Sequence, residues 1–229
     1  MPHLSRGTKP VTNLFRFPVS GAGGASTPAI SKSGTLPVWK AYEGGVEVAS
    51  VNATAASHTF AAGADNYWEL LLPDDDPQNI AQLWLFGDVF AGQMPRLYGW
   101  TALEGYHIYA NAELTGVDLT GLAGLTHLNV SGTNVGSVDL HDLPLLVYLN
   151  TNNSQLTSLD VSAQDNLVTV WIHGTSNFID QPSIDALLQR LSESGVTNGQ
   201  LIWWGNAAAT DGSANVHLRD LIDVKGWSA

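Results

Sequence analysis

A repeat of 21 residues occupies the middle of the chain and constrains its fold more than any other feature. It covers residues 114–176, and its three rows read LTGVDLTGLAGLTHLNVSGTN, VGSVDLHDLPLLVYLNTNNSQ and LTSLDVSAQDNLVTVWIHGTS. Apolar residues recur in the same columns of all three rows, as at Leu128, Leu149 and Val170. One row of this length cannot bury its own apolar side, so rows must stack and share a continuous core. The repeat therefore predicts an elongated solenoid.

The spacing L-x-x-L-x-L within each row is typical of leucine-rich repeats, in which every row contributes one strand to a parallel sheet. The same spacing occurs upstream at residues 80–85 and 103–108, and a last strand is expected at Leu201 and Trp203. We therefore expect about six rows. The predicted fold is β-rich α/β: a leucine-rich-repeat solenoid with a parallel sheet, an N-terminal β cap and a C-terminal strand-helix cap.

The composition on either side of the repeat divides the chain into four parts. Residues 1–35 are rich in Gly, Ser, Thr, Pro and Ala, and they are predicted to form a flexible basic arm because they bury too little apolar surface to offset the entropy lost on ordering. Residues 36–79 contain short β-branched and aromatic runs, which predict a β-rich cap for the solenoid at 80–178. Residues 179–229 are predicted to form a helix-strand-helix cap.

Two apolar patterns predict the helices of this C-terminal cap. The first helix is expected over residues 182–194, because four apolar residues are spaced i, i+3, i+4 and i+7 after Pro182. The second is expected from about Ser213, with one apolar face formed by Leu218, Leu221 and Ile222.

Formal charge is unevenly distributed along the chain, which carries a net charge of -12. Residues 1–42 hold five basic residues and no acidic one, whereas the remainder holds four basic and 21 acidic residues. A basic arm before an acidic body suits an anchor that binds an acidic surface of another protein. Nucleic acid is not an expected partner, because five dispersed charges are few for a phosphate track and the acidic body repels it. The predicted anchoring residues are Arg6, Lys9, Arg16 and Lys32.

Several classes of protein are disfavoured by what the chain lacks. It has no cysteine, which removes disulfides and thiolate metal sites from consideration. No apolar run reaches the roughly 18 residues of a membrane span, and the segment MPHLSRGTKPVTNLF lacks the apolar core of a signal peptide. We therefore expect neither membrane insertion nor Sec-type export.

Motifs for catalysis and metal binding are not found either. There is no P-loop, G-x-S-x-G or H-E-x-x-H motif, and the seven histidines are scattered. Asp118, Asp139 and Asp160 share a column, an arrangement that an acid/base or metal ladder would also have, but a repeated polar residue between core positions more often faces solvent or bonds to a turn. The run Asp74–Asp76 would suit calcium, although its spacing matches no known loop motif. We expect no enzymatic activity, no metal and no cofactor.

A candidate binding face follows from strand geometry. Residues between the aligned apolar positions of each L-x-x-L-x-L strand point away from the core. Six strands make a face about 25 Å long, on which rings offer stacking surface and amides offer hydrogen bonds, a mixture that suits a sugar or a protein loop. The alternative is that these rings pack under a cap or a neighbouring subunit. The candidate residues are Trp84, His107, Tyr109, His127, Tyr148, Asn150, Trp171, His173 and Trp204.

Two stretches resemble known repeat proteins. LTSLDVS at 156–162 and LTGVDLT at 114–120 resemble the leucine-rich repeats of internalin-type bacterial surface proteins. The stretch from IDALLQRLSESG to DLIDVKGW, residues 184–227, resembles the closing unit of repeat proteins found among phage and prophage structural proteins. One departure concerns the asparagine that usually follows the strand, since Thr133, Ser154 and Thr175 replace it. Their hydroxyls can still bond to the turn.

The resemblance implies a non-enzymatic structural or binding module. We predict a phage virion surface component, either a decoration or a tail-associated protein, which binds other capsid or tail proteins through residues 1–35 and displays the acidic solenoid. A host-surface glycan or protein would bind the exposed face. The lack of an export signal fits assembly onto particles inside the producing cell. A bacterial surface or secreted adhesin is the alternative, and a glycan-active enzyme is a third.

Overall fold

The computed structural model describes residues 14–32, 36–63, 65–72, 79–85, 90–206 and 213–229. The elements in chain order are β1 (Leu14–Pro18), β2 (Gly24–Ser26), β3 (Ala29–Lys32), β4 (Val38–Glu43), β5 (Val46–Asn52), β6 (His58–Phe60), β7 (Tyr67–Leu71), β8 (Ile80–Leu85), β9 (Gly92–Gln93), β10 (Gly105–Ile108), β11 (Leu114–Gly116), β12 (His127–Asn129), β13 (Tyr148–Asn150), β14 (Thr169–Trp171), α1 (Gln181–Glu193), β15 (Gln200–Ile202) and α2 (Ser213–Arg219), followed by a π-helical turn (Asp220–Val224).

A parallel sheet runs along the solenoid. Its order is β15-β14-β13-β12-β10-β8, and β3 adds to β8 in the antiparallel direction at the far edge. The strands pair in register, so that Leu128, Leu149 and Val170 lie opposite one another. The 21-residue column of the sequence is therefore a column of the sheet. The prediction of a β-rich solenoid with a parallel sheet is confirmed.

The core of the solenoid is continuous because each column stays apolar from row to row. Leu128, Leu149 and Val170 are fully buried. The column formed by Leu119, Leu140 and Val161 is buried as well. Each row thus covers the apolar side of its neighbour, which is the reason that no row could fold alone.

A residue with positive φ follows each of the strands β10, β12, β13, β14 and β15 at the same position. Ala110, Gly132, Asn153, Gly174 and Gly205 all have positive φ, with values of 55°, 66°, 53°, 122° and 91°. Each lies four residues after the central core residue of its strand. Glycine and asparagine adopt this conformation at low cost, so their recurrence in the column marks where the chain turns out of the sheet.

Buried amides connect successive turns behind the sheet. The Asn177 Oδ1 accepts hydrogen bonds from the backbone N–H groups of Ser154 (2.9 Å) and Leu156 (3.1 Å). Its Nδ2 donates to the carbonyl groups of Thr151 (2.7 Å) and Ile172 (2.9 Å). One fully buried side chain therefore satisfies four backbone groups from two rows.

Related bonds occur at both ends of the array. Asn111 accepts from the N–H of Phe90 at 2.9 Å, and Asn206 donates to the carbonyl groups of Ile172 and Trp203 at 2.8 Å each. Both lie five residues after the central residue of their strand, the column in which the asparagine is expected.

Hydroxyl groups take this role in two of the intervening rows, as predicted. The hydroxyls of Thr133 and Ser154 both donate to the carbonyl of Val130 at 2.7 Å. The prediction for Thr175 is wrong, because Thr175 is exposed and the turn is bonded by Asn177, two residues later.

A four-stranded antiparallel sheet precedes the solenoid. Its order is β1-β7-β4-β5, and its inner side is filled by Phe17, Trp39 and Trp68, all fully buried. It reaches the solenoid through an edge-to-face contact between Phe15 and Trp100, with ring centroids 5.1 Å apart. The strands predicted within residues 36–79 are confirmed as β4 to β7.

The prediction that residues 1–35 form a flexible arm is wrong for residues 14–32. These residues supply β1 to the four-stranded sheet, β2 to a pair with β6, and β3 to the edge of the parallel sheet. The buried side chains of Phe15, Phe17 and Ile30 provide the stabilisation that the overall composition of the segment concealed. The predicted arm residues Arg6 and Lys9 lie outside the described residues, as does Asp74–Asp76.

Two helices flank β15 at the C-terminal end, as predicted. The apolar face of α1 is buried, and the Asp180 side chain caps the helix by accepting a hydrogen bond from the Ser183 N–H at 3.0 Å. In the second helical segment Leu221 is buried, but Ile222 is 45% exposed. The expectation that Ile222 faces the core is wrong because α2 passes into a wider π-helical turn at Asp220, which rotates Ile222 away.

Candidate functional site

The outward positions of the parallel sheet form one surface, which we call the ring face. Strand pairing places Trp84 beside His107, and it places Tyr148 between His127 and Thr169. None of its positions is Asp, Glu, Lys or Arg, although the chain has a net charge of -12. The ring face consists of Gln82, Trp84, Gly105, His107, Tyr109, His127, Asn129, Ser131, Tyr148, Asn150, Asn152, Thr169, Trp171, His173, Gln200, Ile202 and Trp204.

Aromatic and imidazole rings contact one another across neighbouring strands of this face. Such contacts follow from the strand spacing of about 4.8 Å, which brings aligned rings to contact distance. Each histidine is paired with a larger ring. The pairs are Trp84–His107 (centroids 5.8 Å apart, planes at 10°), His127–Tyr148 (5.8 Å, 22°), Tyr148–Trp171 (5.6 Å, 68°) and His173–Trp204 (4.8 Å, 38°).

Ring orientation decides which rings can stack on a ligand. Rings in a stacked pair turn one face toward each other, so that face is already in use. Trp171 departs from this arrangement, since its plane is turned 68° from that of Tyr148. Trp204 ends the row and is 59% exposed. These two tryptophans, on the last two strands, are the best placed to accept a planar or apolar ligand surface.

Hydrogen bonds to glutamine side chains hold two of these rings in their orientations. The Trp171 Nε1–H donates to the Gln200 Oε1 at 2.7 Å, and the His107 Nε2 lies 3.2 Å from the Gln82 Oε1. A side chain at Gly105 would collide with Gln82, so the glycine leaves the space that this contact requires. Rings fixed before binding lose less entropy when a ligand arrives.

Most of the predicted binding residues lie on the solvent side of the sheet. Trp84, His107, Tyr148, Trp171 and His173 are half-buried. The more exposed members are Tyr109, His127 and Trp204.

Asn150 is the exception, and the prediction that it is exposed is wrong. It is 6% exposed, because its Nδ2 donates to the Tyr148 hydroxyl at 3.2 Å and its Oδ1 accepts from the Asn152 N–H at 3.1 Å. Asn150 supports the ring of Tyr148 rather than facing a ligand.

Two histidines of the ring face are held in the neutral form. Burial lowers the pKa of His107, and the nearby His127 lowers it further. Burial also lowers the pKa of His173. Both imidazoles are therefore uncharged at neutral pH, which preserves the lack of charge on this face.

The aspartate column on another side of the solenoid bonds to turns, as predicted. Asp118, Asp139 and Asp160 each accept a hydrogen bond from the backbone N–H two residues later, at 3.0, 3.0 and 2.8 Å. The bonds from Ser162 lower the pKa of Asp160. Among the described residues, no cluster of three or more His, Cys, Asp or Glu side chains is arranged to hold a metal ion.

Two of the predicted anchoring residues belong to sheets of their own chain. The Arg16 Nε lies 3.1 Å from the Glu69 Oε2, and its guanidinium lies 4.9 Å from the centre of the Tyr67 ring. Lys32 ends β3 and pairs with Ile80 of β8. Neither residue extends from the body as the arm prediction required.

A cavity of about 610 Å³, here called the terminal cavity, adjoins the ring face at β15. Gln200, Ile202 and Trp204 belong to both the face and the cavity wall. The cavity is also lined by Leu201, Trp203, Asn206, Ser228 and Ala229.

Sequence reasoning missed three features of this site. The amides of Gln82 and Gln200 orient rings, and their place in one outward column of the sheet was the available signal. The terminal cavity had no signal, because it depends on where Ser228 returns to β15.

Comparison of the chain with protein-family models, curated proteins and solved structures found no match. Within the described part of the chain, no helix combines the length and apolar character needed to span a bilayer.

Proposed function

We propose that this protein is a non-enzymatic binding module whose ring face is the recognition surface. The observation that carries the proposal is the absence of formal charge from every position of that face in a chain of net charge -12. Charged side chains normally keep an exposed sheet soluble, and a contiguous uncharged patch of rings usually marks a contact site. Trp171 and His107 are also held in advance by hydrogen bonds to glutamine side chains, which favours binding over a passive surface.

The solenoid is proposed to be of the leucine-rich-repeat type. Supporting this are the L-x-x-L-x-L spacing and the amides of Asn111, Asn177 and Asn206, which bond to backbone groups in the turns after the strands. The four-stranded sheet and the C-terminal helices are proposed to cap its two ends, since both place apolar side chains in the same continuous core.

An enzymatic role is less well supported by the same surface. Hydrolysis of glycosidic bonds commonly requires a pair of carboxyl groups that flank the bond. The ring face has no carboxylate, and the aspartate column is already bonded to backbone turns. Binding without chemistry is the simpler function for this arrangement.

Display on a phage virion stays a prediction that rests on the resemblance of residues 184–227. In this proposal residues 1–13 carry the anchoring role, since residues 14–32 contribute strands to the body. In this proposal the acidic solenoid faces outward and the ring face meets a host-surface glycan or protein. A bacterial surface adhesin would use the same face, so the alternative concerns location rather than mechanism.

The double variant Trp171→Ala and Tyr148→Ala tests the recognition surface. Labelled protein would be titrated onto cell-envelope preparations from a panel of bacteria, and melting temperatures would be compared first. We expect binding by the wild type, loss of at least about tenfold in the double variant, and no loss in Phe178→Ala, whose ring is 67% exposed but lies off the ring face. Wild-type binding by the double variant, or no binding by any form, would refute the proposal.

A further inference from the structure

We infer that the terminal cavity is a subsite for a short neutral saccharide. This inference rests on the proposed function and adds to it the chemical class of the ligand and the part of the ring face that receives it. The cavity volume of about 610 Å³ lies within the range of about 300–1,000 Å³ typical of small-ligand sites.

The edge of the sheet offers hydrogen-bonding groups to this cavity. Among the described residues, β15 has a neighbouring strand, β14, on one side. On its other side the Leu201 N–H donates to the Ser228 carbonyl at 2.8 Å, and the Ser228 N–H donates to the Gly199 carbonyl at 3.0 Å. Ser228 thus covers the first part of the edge. Strand alternation turns the Leu201 carbonyl and the Trp203 N–H to the same side, beyond Ser228, as an adjacent acceptor and donor.

Side chains add a stacking surface and a further donor. Trp204 is 59% exposed and is supported from behind by His173 at 4.8 Å. The Gln200 Oε1 is used by Trp171, which leaves the Gln200 Nε2 directed elsewhere. A pyranose presents an apolar C–H face for a ring and hydroxyl groups that both donate and accept. That combination matches an exposed indole beside paired backbone and amide groups.

The charges of the site select a neutral ligand. Among the described residues, no basic side chain lines the terminal cavity, so a bound carboxylate or sulfate would have no counter-charge there to offset its desolvation. The net charge of -12 would in addition repel acidic glycans. An uncharged sugar has neither cost.

An extended peptide fits the same edge less well. Strand addition gains its affinity from a run of backbone hydrogen bonds. Beyond Ser228 the edge ends at Gly205, where φ is 91° and the chain leaves the sheet. Among the described residues, two or three positions of this edge have no strand partner, which is too few for a stable added strand but enough for one or two sugar hydroxyls.

The test uses the full chain on an array of neutral oligosaccharides (glucose, galactose, mannose and N-acetylglucosamine oligomers) beside sialylated, uronic-acid and sulfated ones. We expect binding to at least one neutral series, confirmed by titration calorimetry. Trp204→Ala should lose at least about tenfold in affinity, Trp204→Phe should retain part of it, and Phe178→Ala should bind as the wild type does. Perturbation of the Trp204 indole signal in NMR spectra would place the sugar at the cavity.

Three outcomes would overturn the inference: no neutral oligosaccharide binds at millimolar concentration, binding is confined to charged glycans, or Trp204→Ala binds as the wild type does. A peptide that competes for the cavity would assign it to strand addition instead. If the Trp171 and Tyr148 double variant loses envelope binding while no neutral sugar binds, the recognition surface stands and the saccharide assignment fails. If the wild type binds no envelope, the proposed function itself fails.

Discussion

Replacing Asn177 by alanine should destabilise the solenoid more than any other loss of one amide that the structure suggests. The side chain is fully buried and makes four hydrogen bonds, all to backbone groups. The substitution leaves the N–H groups of Ser154 and Leu156 and the carbonyl of Thr151 without a partner, whereas the Ile172 carbonyl keeps its bond from the Asn206 Nδ2. Each buried group left without a partner costs about 1–3 kcal/mol. At the lower limit the three groups together cost about 3 kcal/mol, a large part of the roughly 5–15 kcal/mol that stabilises a folded domain.

A loss of about 3 kcal/mol should lower the melting temperature by roughly 6–12 °C in a domain of this size. Thermal unfolding followed by circular dichroism would measure this shift in melting temperature. Urea unfolding followed by tryptophan fluorescence would measure the free energy of unfolding. Asn166→Ala is the matched control, because Asn166 makes one exposed hydrogen bond, to the Pro144 carbonyl at 3.0 Å. We expect a change within about 1 kcal/mol for the control. A free energy of unfolding for Asn177→Ala within the same limit would refute the structural role of the buried amide.

Three further predictions concern the core, the turns and pH. Leu149→Asp should abolish soluble expression of folded protein, because an unpaired charge in this fully buried column costs several kcal/mol; wild-type melting would contradict the solenoid core. Gly174→Ala should lower the free energy of unfolding by about 1–3 kcal/mol, because the backbone at Gly174 has a φ of 122°. Gly195→Ala should leave the melting temperature nearly unchanged, because a Cβ added there would have no atom within 4 Å. Since burial lowers the pKa of His107 and His173, the unfolded chain binds protons first, and stability should fall as pH drops below about 6.5. Replacing both by glutamine should weaken that pH dependence in urea titrations at pH 7.5 and 5.5, and an unchanged dependence would contradict it.

Side-chain alternation made much of the candidate site predictable. Because side chains alternate along a strand, residues such as Trp84, Tyr148 and Trp171 had to share one side of the sheet once the apolar columns were assigned. Alternation does not predict how deeply each side chain is buried. Asn150 is on the predicted side, yet the hydroxyl of Tyr148 and the backbone of Asn152 cover it.

Composition was misleading for the N-terminal segment. Twelve of the 19 residues at 14–32 are Gly, Ala, Ser, Thr or Pro, a composition that favours a flexible chain. The segment is nevertheless folded, because its few large apolar side chains are buried in the core. Phe17 packs against Trp39, with ring centroids 6.0 Å apart, and β3 finds a free edge on β8. These partners lie between about 20 and 50 residues away, a separation that local patterns do not register.

The repeat alone determined the parallel sheet, the buried columns and the direction in which each strand presents its side chains, because a fixed period forces equivalent residues into equivalent positions. The tertiary structure decided where the N-terminal strands pair, which rings stack or turn away, and that Ser228 returns beside β15 to close one side of the terminal cavity. The periodicity is repeated in every row, so it can be recognised from the sequence alone. The return of Ser228 occurs once, between residues without a repeated counterpart, so only the folded chain specifies it.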